Sequence, residues 1–195
     1  MGLTINSIVA IKNGRIVTPR DTIENSVILV KNAKIKAVGE KDKVGVPSNA
    51  LVIDANGRAV TPGFIDIHIH GSGGSDTMEA SYDSLNNMSI FEARHGTTGF
   101  LPTTITASQE DLLTSVKAIE IAMERGTSGA EILGVHLEGP YINIGRKGGQ
   151  PAEYIRKPDS EELWRLIEAS NNNIKIVTLA PEVEGGLELV RRVVQ

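Results

Sequence analysis

Hydrophobic positions along the chain follow two regimes, and the change falls near Asn56-Gly57. Before it, short β-branched runs at 8–11, 15–17, 27–30, 34–38 and 51–54 are separated by turn residues. Asn-Gly pairs between such runs, here Asn13-Gly14 and Asn56-Gly57, favour tight turns. This spacing predicts a small antiparallel β unit over residues 1–57. It holds no histidine, and its acidic residues read as solvated, so it is expected to be scaffold.

After Gly57 the period alternates between strand and helix. Strands are predicted at 59–70, 97–101, 132–137 and 174–179. Helices are predicted at 84–94, with Leu85, Met88 and Phe91 on one face, and from Ser108, with Leu112, Val116, Ile119 and Met123 at helical spacing. Ser108 and Asp111 form a pair like a capping box. Further helices are predicted at 159–169 and 186–194. The fold class is α/β: four βα units over 58–195, the first half of a TIM-type (β/α)8 barrel. The last predicted helix runs to Gln195 without a closing signal, so the chain reads as the first half of a longer protein. A self-contained half-barrel that dimerises is the alternative.

Composition adds exclusions. The 195 residues are 40% hydrophobic and 23% charged, with a net charge of −4 and no cysteine. Disulfides are excluded, and any metal must be held by His, Asp, Glu or carbonyl oxygen. A mildly acidic chain offers no electrostatic case for nucleic acid or an anionic membrane as partner. Residues 1–10 lack the basic and apolar segments of a secretory signal. A cytoplasmic setting is expected.

Polar and special residues cluster just after the predicted strands, where a barrel enzyme keeps its site. His68 and His70 are one residue apart at the end of an apolar run and precede Gly71-Ser72-Gly73-Gly74. In a strand they share a face, which makes half of a divalent-metal site. His136 and Glu138 repeat the spacing at the end of the third strand. Glu138 is read as a metal ligand, against a salt bridge to Arg146 or Lys147. His136 is either an outer partner or substrate contact, or plainly structural, and Asp66 either orients the histidines or pairs elsewhere. The loop Gly145-Arg146-Lys147-Gly148-Gly149-Gln150-Pro151 is long and glycine-rich enough to approach a ligand. His95, before Gly96, reads as a helix cap, and Glu182 has little standing.

Taken together, Pro62-Gly63-Phe64-Ile65-Asp66-Ile67-His68-Ile69-His70-Gly71, His95-Gly96-Thr97-Thr98, His136-Leu137-Glu138-Gly139-Pro140, Gly148-Gly149-Gln150-Pro151 and Thr178-Leu179-Ala180-Pro181-Glu182 resemble the N-acetylglucosamine-6-phosphate deacetylases of the amidohydrolase superfamily. The resemblance runs from Ile8 to the last residue and corresponds to the family's N-terminal half. It implies Glu138 as a ligand of a divalent cation, zinc or iron, with one or two ions. It implies His68 and His70 as further metal ligands, and Gly149 and Gln150 as contacts to an amino-sugar phosphate. The implied reaction is hydrolysis of the acetamide of N-acetylglucosamine 6-phosphate to glucosamine 6-phosphate and acetate, by a homodimeric full-length protein. The family's remaining metal-binding histidines and its catalytic Asp lie on later strands, so no catalytic residue is assigned in this chain. The first β unit likewise lacks the late strands that complete a sandwich. Residues 1–195 alone are expected to be inactive. The alternatives are an amidohydrolase acting on cyclic amides, like dihydroorotases and hydantoinases, and a non-catalytic half-barrel.

Overall fold

A computed structural model describes residues 8–194, and the chain divides into two compact units between Pro62 and Gly63. Most of the 1–10 segment read for a secretory signal lies outside the described residues, as does Gln195.

In the first unit, β1 (Ile8–Val17) pairs antiparallel with β2 (Thr22–Lys31), and β2 with β3 (Lys34–Glu40). The other edge of β1 pairs in parallel with β4 (Leu51–Asp54) and then β5 (Ala59–Val60). The sheet is therefore mixed, a correction to the antiparallel unit expected from the sequence. The physical reason lies at Asn13-Gly14, which does not reverse the chain. Asn13 adopts a φ of 56°, and β1 continues through a bulge with register shifts on either side of Gly14. A bulge frees ladder groups and bends the strand. Opposite it, Asn56 and Gly57 turn with φ of 50° and 72° between β4 and β5. The Ala55 and Gly57 amides donate to the Lys12 and Asn13 carbonyls at 2.8 and 2.7 Å, so bulge and turn nest. The Asn56 amide and then the Asn13 side chain hold the Asp54 carboxyl below its usual range. Val9, Ala10, Ile16, Val27 and Ile28 are buried within this unit.

The second unit is a parallel α/β arrangement. The strand predicted over 59–70 is broken, because its first residues stay with the first unit as β5. Pro62 has no amide hydrogen for a ladder, and a Cβ at Gly63 would meet Thr98 at 2.2 Å. The parallel set begins at β6 (Phe64–Ile69), and a small hairpin, β7 (Gly71–Ser72) and β8 (Ser75–Asp76), follows it. β6 pairs with β9 (Thr97–Pro102), which also pairs with the short β10 (Glu131–Ile132). The predicted strand 132–137 is interrupted at Gly134, where φ is 151°, and resumes as β11 (Val135–Glu138), paired with β12 (Ile174–Thr178). A parallel bridge between Thr103 and His136, with the Thr104 amide donating to the His136 carbonyl at 3.0 Å, joins the two ladders.

Helices α1 (Tyr82–Arg94), α2 (Gln109–Arg125) and α3 (Ser160–Ala169) start at Ser81, Ser108 and Asp159, whose side chains accept from backbone amides of the first turn. Asp111 takes the Ser108 hydroxyl proton at 2.6 Å rather than reaching back to the Ser108 amide, so the pair is half of a capping box. The last helix is α4 (Gly186–Val193). Leu85, Met88, Leu112, Val116, Ile119, Leu163, Leu166 and Leu189 pack from the helices onto Phe100, Val135 and Leu137 of the strands. Phe91, predicted for the α1 core face, is instead 39% exposed and lies against the His95 ring. Among the described residues no helix is long and apolar enough to cross a membrane.

One buried polar knot ties the loop after β11 to the helices. Arg156 pairs with Glu162 through two guanidinium nitrogens and donates to the carbonyls of Ala107 and Tyr154. Tyr141 donates to Glu162 and to the Asp159 carbonyl, and burial drives its phenol far above the usual range. The Glu162 side chain is only 5% exposed, and Arg156 is the cation paired with it. Arg156→Ala should destabilise the second unit by about 3 kcal/mol, because an unpaired buried carboxylate is left behind. Urea unfolding measures this, and a loss of under about 0.5 kcal/mol would mean that solvent already compensates Glu162.

Candidate metal centre

The site forms where β6 and β11 end on either side of β9. Strand alternation puts His68 and His70 on one face, and the Thr103–His136 bridge sets β11 level with them. As a result the Nε2 atoms of His68 and His70 lie 3.3 Å apart, and Glu138 Oε2 lies 3.2 Å from the first and 2.9 Å from the second. The side chain of Glu138 is 16% exposed, and those of His68 and His70 are 48% and 37% exposed. The cluster thus opens to solvent on the histidine side and is walled on the carboxylate side.

Proton placement decides what this cluster can do. His70 Nδ1 lies 3.1 Å from the Thr103 carbonyl, an acceptor only, so Nδ1 carries the hydrogen. In the neutral ring Nε2 then presents a lone pair towards Glu138 Oε2 and towards His68 Nε2. Three electron-rich atoms facing one another require a proton or a cation between them. Donors held 2.0–2.1 Å from a tetrahedral ion lie about 3.3 Å apart, close to the separations seen in this cluster. The donor set therefore fits a divalent cation held by His68, His70 and Glu138.

His136 is not presented to that space. Its Nδ1 donates to the Ile67 carbonyl at 2.8 Å, and its Nε2 accepts from the Thr178 hydroxyl at 2.8 Å. It is 4% exposed, and burial, only partly offset by the Ile67 bond, pushes its pKa down, which keeps the ring neutral. Asp66 touches neither imidazole of the pair; its carboxylate accepts from the His68 amide at 2.9 Å. Glu138 pairs with the histidines and not with Arg146 or Lys147. Lys147 folds back onto the carbonyls of Gly148 and Gln150. Gln150 is buried, with Oε1 accepting from the Thr106 amide at 2.8 Å, whereas Gly149 is exposed with nothing within 4 Å of a built Cβ. His95 caps α1 and donates to the Phe91 carbonyl at 2.8 Å; Glu182 accepts from Asn143 at 2.9 Å.

The sequence places Thr103, Thr104 and Thr178 at or just after strand ends, but their roles escape a reading of it. Thr103 accepts from the Ile69 amide at 2.9 Å and donates to the Leu101 carbonyl, while its own carbonyl orients His70. Thr104 accepts from the Glu138 amide, and Thr178 holds His136. At strand ends threonine reads as an ordinary β-former. The available signal was the placement of each one at the C-terminal end of a predicted strand.

The model of the amidohydrolase family matches residues 59–194. The chain belongs to the amidohydrolase family. Among relatives of this amidohydrolase, the N-acetylglucosamine-6-phosphate deacetylase of Bacillus subtilis is 40% identical over 184 residues, covering 93% of this chain and 46% of that protein. An N-acetylgalactosamine-6-phosphate deacetylase of Escherichia coli O157:H7 is 37% identical over 149 residues, covering 76% of this chain and 40% of that protein. The crystal structure of N-acetylglucosamine-6-phosphate deacetylase from Pasteurella multocida superposes with a TM-score of 0.84 at 32% identity, over 95% of this chain and 48% of that one. The amidohydrolase chain thus spans about half the length of the relatives it matches.

The hydrogen-bond pattern predicts that Nδ1 carries a hydrogen in both His70 and His136. Long-range 1H–15N correlation of the imidazoles reads this directly. Nε2–H forms at both residues would contradict this proton placement.

Proposed function

We propose that this chain is the N-terminal part of a metal-dependent deacetylase that hydrolyses the acetamide of N-acetylglucosamine 6-phosphate to glucosamine 6-phosphate and acetate. The observation that carries the reading is the convergence of His68, His70 and Glu138 within hydrogen-bond distance of one another. Relatives named for this activity, the Bacillus subtilis protein at 40% identity among them, supply the substrate class. The parallel strands β6, β9, β11 and β12, each following the last in chain order with helices between them, are read as the first units of a (β/α)8 barrel. Ile65 and Ile67 of β6, 62% and 54% exposed, support that reading as a face that further chain covers.

In this reading His68, His70 and Glu138 hold a divalent cation, zinc or iron. When bound, the ion supplies Lewis-acid polarisation of the amide carbonyl and acidifies water. The chain's own residues divide the remaining work. Glu138 supplies the negative charge, and Thr103 fixes the His70 tautomer that leaves Nε2 free. Gly149 and Gln150 are read as contacts to the substrate; Gly149 is exposed with open space about its Cα, and Gln150 anchors the loop to the Thr106 amide. The full-length protein is read as a homodimer acting on a small amino-sugar phosphate.

Full-length protein should release acetate from N-acetylglucosamine 6-phosphate and leave hydantoin and dihydroorotate untouched. Glu138→Gln should lose roughly 100-fold or more in metal affinity, since even outer partners of a metal site contribute about 10- to 100-fold. Turnover and bound metal both retained in Glu138→Gln would sink the assignment. Preference for the galactosamine epimer would keep the site and change the sugar. Residues 1–195 alone are expected to show no turnover.

A further inference from the structure

We infer that His136 is a positioning residue that, with Thr178, locks the peptide carrying His68 so that its imidazole meets Glu138; this rests on the metal reading of the site. The pairing of β6 with β9 skips from Asp66 to Ile69, so Ile67 and His68 sit in a gap of the ladder. The peptide between them has its carbonyl and its amide hydrogen pointing to opposite sides. Both groups are taken by side chains. His136 Nδ1 donates to the Ile67 carbonyl at 2.8 Å, and the Asp66 carboxylate accepts from the His68 amide at 2.9 Å. The plane that sets the direction of the His68 side chain is therefore held from both edges by groups outside the sheet ladder.

His136 can do this only as one tautomer. With Nδ1–H committed to Ile67, Nε2 needs a donor, and the Thr178 hydroxyl supplies it at 2.8 Å. Thr178 closes β12, so the chain of bonds runs from β12 through the β11 side chain to β6, past the intervening β9. The His136 ring also stands edge-on to the His68 ring, with centroids 4.8 Å apart and planes at 72°. That contact restricts rotation of His68. A buried histidine with both nitrogens engaged cannot itself be a ligand in this arrangement.

The test uses the full-length protein, with Co2+ as the metal probe, reading affinity by chelator competition and coordination by visible absorption. Thr178→Val keeps the side-chain shape and removes the donor; it should weaken Co2+ binding about ten-fold or more and shift the ligand-field band. Thr178→Ser, which restores the hydroxyl, should return both towards the parent. His136→Asn, which retains an amide donor for Ile67, should fall between the parent and His136→Leu. If Thr178→Val and His136→Asn match the parent in affinity and spectrum while Glu138→Gln has lost cobalt, the positioning role is wrong and the metal reading stands. If Glu138→Gln binds cobalt like the parent, the metal reading fails and this inference with it. A Thr178→Val protein that melts early but whose folded fraction binds cobalt normally also overturns the role.

Discussion

The arrangement of the second unit turns on one electrostatic constraint: three lone-pair-bearing atoms brought to about 3 Å of one another at the ends of two strands. Without a proton or a cation between its atoms such a cluster is repulsive. In this chain it is held by groups on the neighbouring strands. Thr103 presents its carbonyl to His70, Thr104 its hydroxyl to the Glu138 amide, and Asp66 its carboxylate to the His68 amide. Each bond is modest, since a typical hydrogen bond contributes about 1 kcal/mol net. Together they remove the small rotations by which the three donors would move apart.

The same constraint explains why the donors come from strands rather than loops. A one-residue slip of β6 against β9 would carry His68 and His70 to the opposite face and bring Ile67 and Ile69 to the site. Thr103 opposes such a slip twice. Its hydroxyl accepts from the Ile69 amide, and its own amide donates to the Ile69 carbonyl at 2.8 Å. The residue that sets the register of β6 is thus the residue that sets the tautomer of His70. Structure and site share one anchor.

Much of this was legible in the sequence, and the failures have identifiable causes. The pairs His68/His70 and His136/Glu138 were readable because strand parity is a local rule, and the helix starts at Ser108 and Asp159 because caps are local too. The mixed sheet was not readable. Asn13-Gly14 carries the composition of a turn, and its place as a bulge inside β1 goes with pairing to β2 on one edge and to the distant β4 and β5 on the other. Nor could parity show that His136, on the same strand as Glu138, would spend both nitrogens on Ile67 and Thr178. That outcome depends on contacts 69 and 42 residues away.

The loop between β11 and α3 shows the same division at larger scale. Its glycines suggest freedom, and Gly148 and Gly149 are indeed exposed. Yet the loop is tied on either side of these glycines, by Tyr141 to Glu162 before them and by Gln150 to the Thr106 amide and Arg156 to Glu162 after them. These ties are costly to desolvate and lose their worth if either partner shifts, so they define position more than they add stability. A segment built this way keeps a short exposed stretch between fixed flanks, which is what the proposed reaction asks of a loop that meets a substrate. Freedom there is confined to the residues that lack side chains, and the groups with fixed directions sit where the fold already needs them.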